Sequence, residues 1–236
     1  MMNFLCYGKV NTLDYGIMIS GEGTYNTPER NVESQEVAGR NGNLLFDMGN
    51  YKNIKIAYPA AMKDELPEKL SDFFNAMGSL TGYQRLEDTY HPEEYRMARY
   101  ICDNTVETDG YRNRSGQFSI MFDCKPQRFL KSGELPFSYT AAGQIYNNTK
   151  HNAKPLIRVF GSGAGTVGIG SETITITAIS SYVDIDCEIM DAYKGATNCN
   201  PNVSFTNDIV LKPGFNGISF TGAITGMTLY PRWWII

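Results

Sequence analysis

Gly116-Gln117-Phe118-Ser119-Ile120-Met121-Phe122-Asp123-Cys124-Lys125-Pro126-Gln127-Arg128-Phe129-Leu130 is the stretch around which the chain is organised. Phe118, Ile120 and Phe122 alternate with Gln117, Ser119, Met121 and Asp123. That is the period-two pattern of a strand with one buried face. Pro126 has no N–H to give to a ladder and is expected to end the strand. Lys131-Ser132-Gly133-Glu134, followed by Pro136, is polar and turn-rich. This run reads as a linker, with one domain at 1–130 and a second at 137–236.

Charge separates the same two parts. Residues 1–130 carry 32 Lys, Arg, Asp and Glu, whereas residues 131–236 carry 14. The net charge of −4 argues against a general nucleic-acid binder, which needs a basic face. The five cysteines, Cys6, Cys102, Cys124, Cys187 and Cys199, are scattered and form no C-x-x-C. Each is expected to act as a small buried apolar residue in a reducing compartment. The N-terminus has no basic region ahead of a long apolar core, so no signal peptide is expected. No run approaches the roughly 18 apolar residues of a membrane span. The expectation is a soluble protein made in a cytoplasm.

Outward from the organising strand, the first part reads as strands with a single helix. Strands are expected over 4–10, 16–21, 30–37, 44–46, 53–58 and 97–106, with Asn41-Gly42 suited to a hairpin turn. Leu66, Leu70, Phe73, Phe74 and Met77 form one stripe at a 3.6-residue period, predicting a helix that packs on a sheet. Asp64, Glu65 and Glu68 are placed as charges at its start, Pro67 suits its first turn, and Gly78 suits its stop. The second part is almost purely β. Its short strands, punctuated by Gly, Pro and Asn, indicate a β-sandwich. The fold class is therefore mainly β.

Chemistry finds little purchase. Gly163-Ala164-Gly165-Thr166-Val167-Gly168 matches G-x-G-x-x-G, but a dinucleotide site needs a helix next. The alternating Thr173-Ile174-Thr175-Ile176-Thr177 follows instead, so these glycines read as a hairpin turn. Asp184, Asp186 and Glu188 share one strand face; solvation is a simpler reading than a calcium site. His91 and His151 lie in polar turns outside any local nucleophile motif. No catalytic residue, cofactor or metal is assigned, and enzymatic activity is not expected. Trp233 and Trp234, after Pro231-Arg232, are a candidate aromatic contact, either for stacking on sugar or a protein, or for closing the core.

With these residues in hand, the chain resembles the distal tail proteins (Dit) of long-tailed, non-contractile bacteriophages and prophages. The resemblance rests on ordered pieces: Arg40-Asn41-Gly42, the single helix, Gly82-Tyr83 through Leu86-Glu87-Asp88, and 118–126. It continues through Asn147-Asn148-Thr149, 153–157, Ile185-Asp186-Cys187-Glu188 with Asp191-Ala192-Tyr193, 211–216 and Pro231-Arg232-Trp233. It implies an N-terminal ring-forming belt domain and a C-terminal sandwich similar to galectin or carbohydrate-binding modules. It further implies a homo-hexameric hub in the virion tail, joined to tail-tube and baseplate proteins, with DNA passing through unrecognised. The competing reading is a carbohydrate-binding module. Arg30, Glu33, Glu36 and Arg40 mix both signs on one arm and are the expected subunit contacts, since opposite charges on neighbouring copies can set the register of a closed ring. Met227 to Trp234 is the element placed to return onto the first domain.

Overall fold

Gly8 divides the first expected strand in two. Its left-handed φ of +57° turns the chain, so β1 (Leu5–Tyr7) pairs antiparallel with β2 (Val10–Asn11). A 3-10 turn over Thr12–Tyr15 leads to β3 (Ile17–Ile19). The computed structural model describes residues 2–21, 25–63, 66–102, 106–108 and 115–236. Within them the chain divides into two units, Met1–Arg128 with Ile236, and Phe129–Ile235.

In the first unit, β4 (Arg30–Gln35) and β5 (Leu44–Tyr51) pair, among the described residues, only with each other, as a two-stranded ribbon. Next come β6 (Ile54–Met62), α1 (Leu66–Gly78), β7 (Gln84–Asp88), β8 (Glu94–Ile101), β9 (Val106–Thr108) and β10 (Gly116–Leu130). The main sheet runs β2-β1-β7-β8-β10-β6-β3, with β9 also on β10. Along β10 the expected alternation holds: Phe118, Ile120, Phe122 and Cys124 are buried, while Gln117 and Ser119 are exposed. Its ladder with β6 runs from Gly116↔Met62 to Cys124↔Ile54.

Pro126 does not end β10. It falls past the last pair with β6, where that ladder asks for no N–H, so proline's missing donor leaves nothing unpaired there. The helix is where its stripe placed it. Leu70, Phe73 and Met77 enter the core and Phe74 packs at its edge. Phe74 meets Phe118 edge-on at 5.7 Å. Asp64 and Glu65, expected at the helix start, lie outside the described residues, as do the turns expected at 109–114.

The second unit holds β11 (Phe137–Tyr139), β12 (Gly143–Asn147), β13 (Leu156–Ile169), β14 (Glu172–Asp186), β15 (Asp191–Lys194), β16 (Thr197–Asn198), β17 (Val203–Phe205), β18 (Gly214–Tyr230) and β19 (Trp234–Ile235). The order β11-β18-β13-β14-β15-β16, with β12 on β18 and β17 on β14, is antiparallel throughout. Strands of 14 to 17 residues replace the short strands expected from the glycine punctuation.

The glycine run is not a turn. It lies inside β13, at register shifts against both β14 and β18. A Cβ on Gly161 would stand 2.4 Å from the Ala223 carbonyl, and one on Gly165 would stand 2.4 Å from the Thr221 carbonyl. Glycine is thus required because the β13 and β18 backbones close on one another at a bulge. The real turn follows at Gly170. Gly165→Ala should cost about 1–3 kcal/mol by overpacking. Gly217→Ala, whose Cβ would meet nothing within 4 Å, should stay within about 0.5 kcal/mol of the parent. Urea unfolding of the full chain reads both; equal losses would show that close approach is not the reason for the glycines.

Candidate functional site

The ribbon β4–β5 is the first candidate surface. Its register is Val32↔Asp47, Glu33↔Phe46, Ser34↔Leu45 and Gln35↔Leu44, with an irregularity between Arg30 and Val32. Leu45 is 65% exposed, Phe46 46% and Met48 49%. A lone two-stranded ribbon is marginal in water, and apolar side chains clustered on one mark an interaction surface.

The four charges expected on this arm divide. Arg30 is engaged within the ribbon: its Nε donates to Asp47 Oδ2 at 2.5 Å and its guanidinium lies 5.5 Å from the Tyr51 ring centre. The Gly49 N–H and that Arg30 bond hold the Asp47 carboxyl below its usual range. Glu33 lies on β4, and Glu36 and Arg40 lie in the connection to β5; all are exposed. None of the three makes an ion pair among the described residues.

The C-terminal segment is the second candidate. The tryptophans do not present a common face. Trp233 is 5% exposed and belongs to the core of the second unit. Trp234 stacks on His151 at 4.1 Å with an interplanar angle of 17°, and its Nε1 donates to the Asn152 carbonyl at 2.9 Å. Ahead of them Arg232, at φ +56°, donates through both Nη atoms to Asp186 at 2.7 and 2.8 Å. Its backbone N–H donates to the Gly133 carbonyl, and the Leu130 N–H donates to the Trp233 carbonyl, both at 2.8 Å. The run 131–134, expected as a polar linker, is a 3-10 turn with Gly133 buried. A Cβ there would come within 2.3 Å of the Trp233 nitrogen.

Asp184 and Asp186 are therefore arginine partners. Arg158 forks onto Asp184 at 2.6 and 2.8 Å while lying over the Tyr182 ring. Among the described residues no group of three or more His, Cys, Asp or Glu is placed to hold a metal ion. His91 shares the Asp88 carboxylate with the Tyr58 hydroxyl and two turn N–H groups. Asp88 thus holds the 89–93 turn to β6. Burial pushes the Cys124 and Cys187 thiols up to about 12; Cys102, expected to be buried, is exposed. No helix among the described residues is long and apolar enough to cross a membrane.

No protein-family model matches the chain, and no curated protein matches it by sequence. A solved structure does match, from end to end: SPP1 Dit (gp 19.1), described as a paradigm of the hub adsorption apparatus in phages that infect Gram-positive bacteria. The TM-score is 0.76 at 13% identity, over 100% of each chain. The fold is that of a Dit protein. The Dit fold accounts for the mainly β chain with one α-helix that the residues led us to expect. The signal that sequence reading missed is the apolar cluster Leu44-Leu45-Phe46. It reads there as a strand continuing a pair, whereas it lies outside the core formed by the described residues.

Two pH windows follow for the C-terminal segment. Burial holds the His151 pKa below its ordinary value, so the folded state favours the neutral ring. Its contribution is full above the unfolded pKa of about 6.5 and is lost as pH falls from there through the folded pKa. For Asp186, burial raises the pKa, but the Arg232 bonds and the Glu188 N–H outweigh it and leave the carboxyl lowered. That contribution is full above the unfolded value and fades as pH falls below about 4. Tm of the full chain should drop between pH 7 and 5.5, and His151→Gln should flatten that drop while leaving the loss below pH 4. An unchanged slope in His151→Gln would assign the drop elsewhere.

Proposed function

We propose that the chain is a structural, non-catalytic subunit of a bacteriophage tail hub. In this reading six copies close into a ring that joins the tail tube to the baseplate or tip, and DNA passes through without sequence recognition. The observation that carries the reading is the likeness to SPP1 Dit, which spans the whole of both chains. The net charge of −4 accords with passage of DNA better than with its retention. The partners are further copies of the chain, the tail-tube protein and a baseplate protein, and the site of action is the virion tail.

The β4–β5 ribbon supplies the contact between copies. A head-to-tail ring joins two different patches on each subunit. The exposed Leu45, Phe46 and Met48 offer one apolar patch, and Glu33, Glu36 and Arg40 offer unspent charges to set the register. A contact stable without the tube should bury roughly 1,000 Å² or more. Arg30 is a poor choice for testing it, because reversing its charge would break the ribbon's own Asp47 pair.

Light scattering of the chain, alone and mixed with the tail-tube protein of the same phage, tests the proposal. The expected particle has six times the 26.4 kDa chain mass. A monomer that also ignores the tube protein would sink it. Leu45→Glu with Phe46→Glu should abolish the ring while leaving Tm within a few degrees, because both side chains are already exposed. Arg40→Glu should weaken the ring most at low salt, as screening between exposed charges requires. Rings that persist in the double variant would move the contact off the ribbon.

A further inference from the structure

Arg96 is a buried cation of the first unit that its sheet neighbours do not explain. It sits midway along β8 at 8% exposure. Its Nη1 is fully buried without a hydrogen-bond partner, a condition shared among the described side chains only by Gln127 Oε1. Buried polar groups are paired in nearly all proteins, by protein or by ordered water. An orphaned guanidinium N–H therefore asks for an occupant.

Arg96 lines a cavity of about 10 Å³. The other polar residues that line it are Tyr58, Asp88, His91, Glu94 and Tyr95. Glu94 lies two residues before Arg96, on the same face of β8, and takes the Arg128 fork at 2.7 and 2.8 Å. Each Glu94 oxygen keeps acceptor capacity. Asp88 Oδ2 accepts the Tyr58 hydroxyl at 2.7 Å, Oδ1 carries the two N–H groups of the turn, and His91 Nδ1 lies 2.9 Å from Oδ1 and 3.1 Å from Oδ2.

Size and charge select the occupant. The space suits about one water-sized sphere, which excludes phosphate, sulfate and any carboxylate ligand. The Arg96 guanidinium excludes a monatomic cation. Asp88 and Glu94 stand against a halide. What remains is a neutral species of one heavy atom that accepts one hydrogen bond and donates two. We propose that a single resident water fills this cavity, accepting from Arg96 Nη1 and donating to the Glu94 and Asp88 carboxylates. It completes one polar cluster that ties β6, β7 and β8 together at their shared face. This inference stands apart from the tail-hub reading and survives its failure.

High-resolution diffraction from the full chain decides it, using a native crystal, a crystal soaked in sodium bromide and measured at the bromine edge, and a crystal of Arg96→Met. The expected result is a peak within hydrogen-bonding distance of Nη1 and of a carboxylate oxygen, without bromine anomalous signal, and absent from Arg96→Met. A bromine signal at the peak would make the site an anion site and overturn the proposal. So would an empty cavity, or Arg96 turned to bond Glu94 directly. The native and bromide data suffice on their own if the variant does not fold.

Discussion

The first unit depends on burying one face of β10. Phe122 stands at its middle, with the Tyr7 ring at 5.2 Å and the rings of Tyr58 and Tyr100 each at 6.0 Å. Because side chains alternate at period two, a slip of one residue against β6 would turn Phe118, Ile120, Phe122 and Cys124 to solvent together. The residues that make the core therefore also fix the register. Helix α1 covers the same face through Phe73 and Phe74, whose rings reach Phe118. Only Lys52 and Asn53 separate β6 from the ribbon, so the ribbon is rooted directly on this sheet.

The second unit meets a different constraint. Its strands are too long to stay flat, and the glycines of β13 let neighbouring backbones approach closely enough for the sheet to bend. Gly222, at φ +70°, completes the same contact from β18, where a Cβ would lie 2.5 Å from the Ala164 carbonyl. The chain end is then fastened by groups of three kinds: a bidentate ion pair at Arg232, backbone bonds to Leu130 and Gly133, and the Trp234 stack on His151. Arg232 is held in a left-handed conformation that an arginine seldom adopts, and its doubly hydrogen-bonded carboxylate partner offsets that strain.

Periodicity carried the sequence reading wherever one side of an element faces a core. The stripe Leu70, Phe73, Met77 and the alternation in 116–124 were legible because burial imposes them. The glycine run was misread because a local window sees glycine's turn propensity but not the carbonyls of Ala223 and Thr221, some sixty residues away. Pro126 was misread because a proline breaks a strand only where a neighbour needs its N–H, and β6 has stopped by then. Of the candidate site residues, the arm charges were placed on an exposed element, but Arg30's engagement with Asp47 needs the hairpin register. The tryptophans offered two readings, and only their surroundings tell Trp233, in the core, from Trp234, on His151.

The ribbon also carries exposed apolar side chains on both of its faces. Leu44 and Phe46 lie on one side of β5 while Leu45, opposite Ser34, lies on the other. Consecutive apolar residues thus place greasy side chains on both faces. No single core can bury such a ribbon, since a core supplies one wall. A sheet edge would satisfy its backbone but leave its faces wet. Both faces are covered only if the ribbon lies in a cleft, or between two surfaces, of other molecules. On the tail-hub reading, a ring in which each copy extends a ribbon to its neighbour supplies such surfaces, and it accounts for apolar residues carried on an exposed arm.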